Sequence, residues 1–372
     1  MANVLVNEDN LTNIANAIRV KNGSTDTYKP SEMAAAISAI SGGDGPSIPD
    51  SAFVLSGDCS HWDYNGKWDT FIEAYKDKWS TNNLADCSFM FYKSKLTSIP
   101  FNINVVYGVI LANIFASSNF TTVPIINGNN IVVQSISHMF SNAKKIKDIP
   151  DDYFNFITDT YSSSTSLTGV FNQCNNLRNF PSSFNSVIKK FKGTSYIYSP
   201  YYNLCYSCNS LNEITNLGVT PTTVNSNEFT SSFYSCRRLK SLTFEPNQTA
   251  NWKYHTIDLS LYVGYGFSQS DATAAGISVD KEVKDATTYA ALKDDADWWT
   301  RDIAYSRYNH DSAVATINSL PDTSAYLATA GDTNTIKFKG DSGSATDGGA
   351  INTLTEEEIA VAAAKGWTVT LV

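Results

Sequence analysis

The chain has 372 residues, 42% of them apolar, enough for two or three domains or one long repeat array with a packed core. Its 27 Lys and Arg stand against 36 Asp and Glu, a formal net charge of -9. That balance argues against a nucleic-acid binder, which needs a basic face to neutralise phosphates, and equally against a polybasic membrane anchor.

No run approaches the ~18 apolar residues of a membrane span. The start, MANVLVNEDNLTN, lacks the basic-then-apolar build of a secretion signal. Folding in a cytosol without membrane insertion is the expectation, and the six Cys are expected reduced. Cys59 and Cys87 are the one pair considered for a disulfide in an oxidising medium. The surface, rich in Asn, Ser, Thr and Tyr, offers neutral hydrogen-bonding groups.

Residues 1–41 read as a small helical head. Leu11, Ile14, Ala15 and Ile18 fall at i, i+3, i+4 and i+7, and Gly23 stands where a left-handed cap belongs. Pro30 opens a second short helix with Met33, Ile37 and Ile40 on its apolar face. Two such helices hold too few apolar groups for a core of their own. The expected role is docking or oligomerisation through Leu11, Ile14, Ile18, Met33, Ile37 and Ile40, the plainer alternative being a disordered start with nascent helices. A Gly/Pro/Ser linker follows over 42–52.

Over 53–250 one pattern recurs. Phe91, Phe115, Phe140, Phe171 and Phe233 head five copies, and Cys205 takes that place in a sixth. Three residues on stands something small: Ser94, Ser118, Ala143, Cys174, Cys208, Cys236. Then come Leu96, Phe120, Ile146, Leu177, Leu211 and Leu239, and three further on Ile99, Val123, Ile149, Phe180, Ile214 and Leu242. Phe101, Ile125 and Phe244 add one more apolar residue in the best copies.

The first spacing predicts a helix or turn with Phe and the small residue on one face. The second predicts a short strand with alternate side chains inward. A turn-then-strand unit every 24 to 34 residues is the signature of an α/β solenoid. One unit buries three or four large side chains worth ~2 kcal/mol each, less than the cost of ordering it, so units must stack. Pro100, Pro124, Pro150 and Pro181 remove ladder donors and predict strands of two or three residues there.

Residues 251–309 are an irregular insertion or degenerate repeats: WKYHTIDLSLYVGYGF alternates like one or two strands, and KDDADWWTRDIAYSRY looks helical. Residues 310–372 read as two terminal helix–strand units. The first has a stripe at Val314, Ile317 and Leu320 and a strand over 335–339. The second opens with a capping box at Thr355 and Glu358, ends at Gly366 and closes the stack with a strand over 367–371.

Motifs with chemical potential have structural readings. Cys205-Tyr-Ser-Cys208 lacks a matching second pair for zinc, and both Cys sit at repeat positions, so core is the expectation. Gly340-Asp-Ser-Gly343 resembles the nucleophile loop of serine proteases, but nothing else of that family appears. His61, His138, His255 and His310 lack metal-ligand spacing, and Asp294, Asp295 and Asp297 lack the Gly and distal Glu of a calcium loop. No catalytic residue, metal or cofactor is expected.

Two surfaces are candidates for binding. One is the tyrosine run Tyr196, Tyr198, Tyr201 and Tyr202 in the insertion between the fourth and fifth copies. The other is the outward row Ser98, Thr122, Asp148, Asn179, Glu213 and Ser241, polar and nearly neutral. Such a row suits a neutral sugar or a protein partner; each surface also has the reading of ordinary packing or solvated surface.

The repeats resemble irregular leucine-rich repeats of the BspA type, looser than the standard consensus. The head, LTNIANAIRVKNGSTDTYKPSEMAAAISAI, together with SGDCSHWDYNGKWDTFIEAYKDK and LTEEEIAVAAAKGWTVTLV, resembles tail and baseplate proteins of phages infecting gut Firmicutes. The resemblance implies a virion structural protein, assembled in the host cytoplasm. Residues 1–41 attach to other tail proteins, several copies of the chain associate, and the solenoid faces a host-surface glycan or protein. Alternatives are a bacterial surface adhesin, an architectural baseplate spacer and a polysaccharide depolymerase.

Overall fold

The computed structural model describes residues 8–22, 32, 36, 48–193, 195–220, 229, 231–236, 239–260, 308, 310–339 and 354–372. Its architecture is mixed α/β, and the strand pairs are parallel. Strands β1 (Val54–Asp58), β2 (Ser80–Asp86), β3 (Ile103–Ile110), β5 (Ile131–Ser135) and β6 (Ile157–Thr160) follow one another across one sheet, with β4 (Ile126–Asn127) beside β3. A two-stranded sheet pairs β7 (Glu213–Leu217) with β8 (Ser241–Phe244). A third sheet has the order β11 (Trp367–Leu371), β10 (Asn334–Phe338), β9 (Thr256–Leu259). The β-branched runs of β3 and β5 suit extended backbone, and Ile103, Val105, Val109, Ile131 and Val133 are buried.

Phe91, Phe115, Phe140 and Phe171 each follow a strand of this sort, and the backbone there differs from the helical option. The segment is a series of tight turns in which alternate amides leave for the next rung. Cys87, Phe89, Phe91 and Lys93 donate to the carbonyls of Ile110, Ala112, Ile114 and Ala116 at 2.8, 2.9, 2.9 and 3.0 Å. Leu111, Asn113, Phe115 and Ser117 donate to Ser135, Ser137, Met139 and Ser141 at 2.7, 2.9, 3.0 and 2.8 Å. An α-helix would keep those amides within its own segment. The turns need left-handed residues two before and two after the heading position: Phe89 and Lys93, Asn113 and Ser117, His138 and Asn142, Gly169 and Gln173.

The repeat rows lie inside. Phe91, Phe115, Phe140, Phe171, Cys205 and Phe233 are fully buried, as are the small residues and the Leu/Phe/Ile row beyond them. Phe115 and Phe140 stack at 5.6 Å between ring centroids, and Phe140 and Phe171 at 6.3 Å with planes 3° apart. The same hydrogen bonding reveals an earlier rung. Asp63 N–H donates to Met90 O at 2.7 Å, placing Asp63 where the other rungs have Phe. Helix α2 (Asp69–Ala74) follows it and buries Phe71 and Ile72 beneath Trp62 and Trp68.

The second half of each copy departs from expectation in three places. Regular strands form there only as β7 and β8, the two copies in which Thr215 and Thr243 stand where the others have Pro. Each of those Pro lacks the amide a ladder requires. Ile125, expected inward, is 58% exposed, because the chain shifts by one residue after Pro124 and buries Ile126 instead. Asn179, expected as a free outward group, binds the main chain of the rung before it: its Nδ2 donates to Ile149 O at 2.7 Å, and its Oδ1 accepts from Ile149 N at 3.0 Å.

In the head, α1 (Glu8–Asn22) forms as expected, with Ile14 and Ile18 buried within the single chain. Those two are therefore covered already, which corrects their assignment as free docking residues. The side chains of Leu11, Met33, Ile37 and Ile40 lie outside the described residues. So do Gly340–Gly343, Asp294, Asp295, Asp297 and the KDDADWW segment. β9 supplies one of the strands expected from the WKYHTIDL run.

The helical stripe expected over 310–320 forms. Helix α3 (Ser183–Lys189) precedes the tyrosine run, and α4 (His310–Ser319) buries Ala313, Thr316 and Ile317, with Leu320 also buried and Val314 half-buried. An unexpected helix, α5 (Ser324–Ala330), ends at left-handed Gly331. Helix α6 (Glu356–Ala364) has the expected capping box: Thr355 Oγ1 accepts from Glu358 N at 3.2 Å, and Glu358 Oε2 accepts from Thr355 N at 2.8 Å. Left-handed Gly366 leads into β11, as expected. Trp367 is buried, while Leu371 and Val372 are 39% and 60% exposed, so β11 covers this end incompletely.

All six thiols are free and buried, including Cys59 and Cys87. Cys174, Cys208 and Cys236 donate Sγ–H to the heading-position carbonyls of the rung before, Phe140, Phe171 and Cys205, at 3.0, 2.9 and 3.0 Å. Two outcomes are expected. Truncating Phe140→Ala should cost about 3–5 kcal/mol, read as a lowered urea midpoint, because its ring is held between two others. The six thiols should resist a disulfide-exchange reagent in native buffer and all react once denatured.

Candidate binding surface

Among the described residues the thiols and His255 are taken up by packing. Burial pushes the Cys59 thiol up to about 12 and raises Cys205 and Cys208 as well, so no reactive thiolate forms at the C-x-x-C. His255 is buried, stacks on Trp252 at 5.2 Å, and its Nδ1 meets Lys253 O at 2.9 Å. His138 lies in the turn beside Gly169, and burial lowers its pKa. His310 is raised by its hydrogen bonds to Asp311 and Glu358, and ties α4 to the cap of α6. Among the described residues no group of three or more His, Cys, Asp or Glu could hold a metal ion, and no helix is long and apolar enough to cross a membrane.

The tyrosine run does not form one surface. Tyr201 is fully buried: its hydroxyl donates to Gly218 O at 2.6 Å and accepts from Thr220 N at 3.0 Å, and its ring stacks on Phe229 at 4.3 Å. It is a core residue, a correction to its assignment as ligand-binding, and the two carbonyl-and-amide partners explain how its polar end is accommodated. Tyr198 is 38% exposed and Tyr202 half-buried; the side chain of Tyr196 lies outside the described residues. In the outward row Ser98, Thr122, Asp148 and Glu213 are exposed and Ser241 is half-buried, while Asn179 is committed to Ile149.

Two aromatic surfaces escaped the sequence reading. On the turn side of the first rungs, His61 stacks on Phe89 at 4.8 Å and Tyr64 on Tyr92 at 5.0 Å, with Lys93 Nζ 5.1 Å from the Tyr92 ring. Phe89 adopts φ +56 where equivalent positions carry Asn113, His138 and Gly169. A bulky residue there costs ~1–2 kcal/mol of backbone strain, offset by three ring contacts. On the sheet side, Tyr107 of β3 and Tyr161 just after β6 are 65% and 51% exposed and meet edge to face at 6.1 Å. Their signal was a Tyr at an outward position of a β-branched run, which looks like any solvated strand residue until the strands are stacked.

An open hollow of about 490 Å³ lies at the far end, lined by Leu327, Ala328, Gly331, Asp332, Ala363 and Trp367 among others. It gathers a single charged side chain and no nucleophile–base pair. Compared with protein-family models, curated proteins and solved structures, the chain matches none.

Among the described residues the most perturbed acid is structural. Burial, with the nearby Asp69 carboxylate adding to it, pushes the Asp63 carboxyl up to about 8. Its Oδ1 accepts from Trp68 N at 2.6 Å; Asp69 is held by Ser94 Oγ at 2.7 Å and Lys95 N at 2.8 Å. The folded chain keeps this proton up to about pH 8, whereas the unfolded chain releases it near 3.8. Its stabilising contribution is thus fully present below about 3.8 and is lost as pH rises through about 8. Asp63→Asn mimics the protonated form. Its melting temperature should equal the parent's below about pH 3.8 and exceed it by a margin that grows from there to about pH 8 and then levels off, as read by calorimetry.

Proposed function

We propose that the chain is an α/β solenoid of irregular BspA-type leucine-rich repeats serving as a non-enzymatic phage tail-tip or baseplate protein that binds the host cell surface. The observation that carries this reading is the inward direction of the repeat residues. Phe, Cys and Leu rows are sealed between rungs, the six thiols go with them, and what remains outside among the described residues includes hydroxyls, amides and a few exposed aromatic rings. Such a surface binds without converting what it binds.

The resemblance of residues 10–40 to phage tail proteins supports attachment through the head, with several copies held together. Weak contacts from each copy would then add by avidity. The terminal sheet, with its incompletely covered β11, is the end farther along the chain from that attachment.

The test uses the full-length chain, fluorescently labelled, on candidate host cells. Saturable cell binding that competes with phage adsorption, with no sugar released, is the expected result. Reducing sugar in the supernatant would favour a depolymerase, and absence of binding by the assembled multimer an architectural spacer. Either outcome removes the proposal.

A further inference from the structure

We propose that Tyr107 and Tyr161 form the contact platform for an uncharged polysaccharide; this deepens the host-binding reading and rests on it for its biological setting. Tyr107 lies on β3 and Tyr161 just after β6, with β5 between those strands, yet the ring centroids are 6.1 Å apart at an angle of 69°. They lean together over the intervening strand and form an aromatic corner on a rigid parallel sheet. Tyr161 is anchored by its own amide, which donates to Val133 O at 2.9 Å. Gly108, at φ +79, bends β3 beside Tyr107, and a Cβ there would stand 4.0 Å from Tyr161 Cε2. The sheet is therefore shaped by a residue without a side chain at the point where the second ring arrives.

Mutual packing does not explain the pair, because Tyr107 remains 65% and Tyr161 51% exposed. Rings meeting edge to face each keep a face for something else. The C–H groups on one side of a pyranose carry slight positive charge, and a tyrosine face is the negative side of its quadrupole, so the two attract while apolar area is removed from water.

The charged groups beside the rings already have partners. The nearby carboxylate, Asp159, is neutralised by Lys192 at 2.5 Å, and Lys192 also donates to Thr160 O at 3.1 Å; Lys190 Nζ donates to Ile157 O at 3.0 Å. Gln134 on β5 is exposed and offers a neutral donor and acceptor for sugar hydroxyls, and exposed Thr158 on β6, whose hydroxyl donates to Ile131 O at 2.9 Å, offers an acceptor. An anionic polymer would have to compete for lysines already held by Asp159 and by the Ile157 and Thr160 carbonyls, and a basic peptide for a carboxylate already paired with Lys192. A neutral glycan meets rings, amides and hydroxyls.

The full chain is run in native gels containing a neutral glucan, mannan or galactan, or the polyanion polygalacturonate. Tyr107→Ala, Tyr161→Ala and Tyr107→Phe are compared with Tyr254→Ala, an exposed tyrosine elsewhere, after thermal melts show equal folding. At least one neutral polymer should retard the parent. Each Tyr→Ala change at the corner should weaken that retardation about tenfold, while Tyr107→Phe and Tyr254→Ala leave it nearly unchanged. Retardation by polygalacturonate alone, by no neutral polymer, or equally for all variants overturns the proposal. Host cells give the independent arm. If they bind parent and Tyr107→Ala equally, or lose binding on protease treatment, the receptor contact is elsewhere or protein, and the platform fails while host binding stands. If they bind nothing but the gels show the tyrosine-dependent shift, host binding fails and the platform stands.

Discussion

The rest of the molecule depends on one constraint: a turn segment that gives its alternate amides to the following rung. That arrangement demands left-handed backbone at fixed positions, and the sequence meets it with Asn113, Asn142, Gly169 and Asn203, residues that take this conformation at little cost. Once the amides point along the stack, the side chains between them must point inward. The Phe row, the small row and the Leu row are consequences of this hydrogen-bond direction. So is the burial of Cys174, Cys208 and Cys236, because a small polarizable group fits where Sγ–H can reach the carbonyl of the preceding rung.

The first rung shows what happens when a position breaks the pattern. Asp63 occupies a Phe site, and the fold accommodates it by keeping it protonated beside Asp69 and by roofing it with Trp62, Trp68 and Trp79. Phe89 breaks the pattern in the opposite way, placing a ring where a left-handed turn favours Asn. Its compensation is a cluster of stacked rings at the surface. Both departures fall in the first two rungs, where the stack meets the segment after the linker. Local conflict there is tolerated because tertiary contacts over-determine the backbone.

Function, on the reading proposed here, is what this construction leaves outside. The chain commits its six thiols and His255 to packing. Its outward residues, by contrast, are held by rungs that repeat the same backbone spacing. A flat or gently shaped platform with rings at chosen positions is easily built on such a frame, and weak neutral contacts can be multiplied by holding several copies together.

The sequence by itself determined which residues are interior. The Phe, small and Leu rows could be read because burial is a property of each residue's place in a repeated pattern, and the Thr355–Glu358 box and Gly366 because caps are local chemistry. Only the tertiary structure decided that the Phe segment is a turn ladder and not a helix, since both put the same side chains inward and differ in where the amides go. It alone removed Tyr201 and Asn179 from the surface, because their partners, Gly218, Thr220 and Ile149, lie 17 to 30 residues away. It alone brought Tyr107 and Tyr161 together, for a contact across three strands is set by stacking register and is not written in either segment.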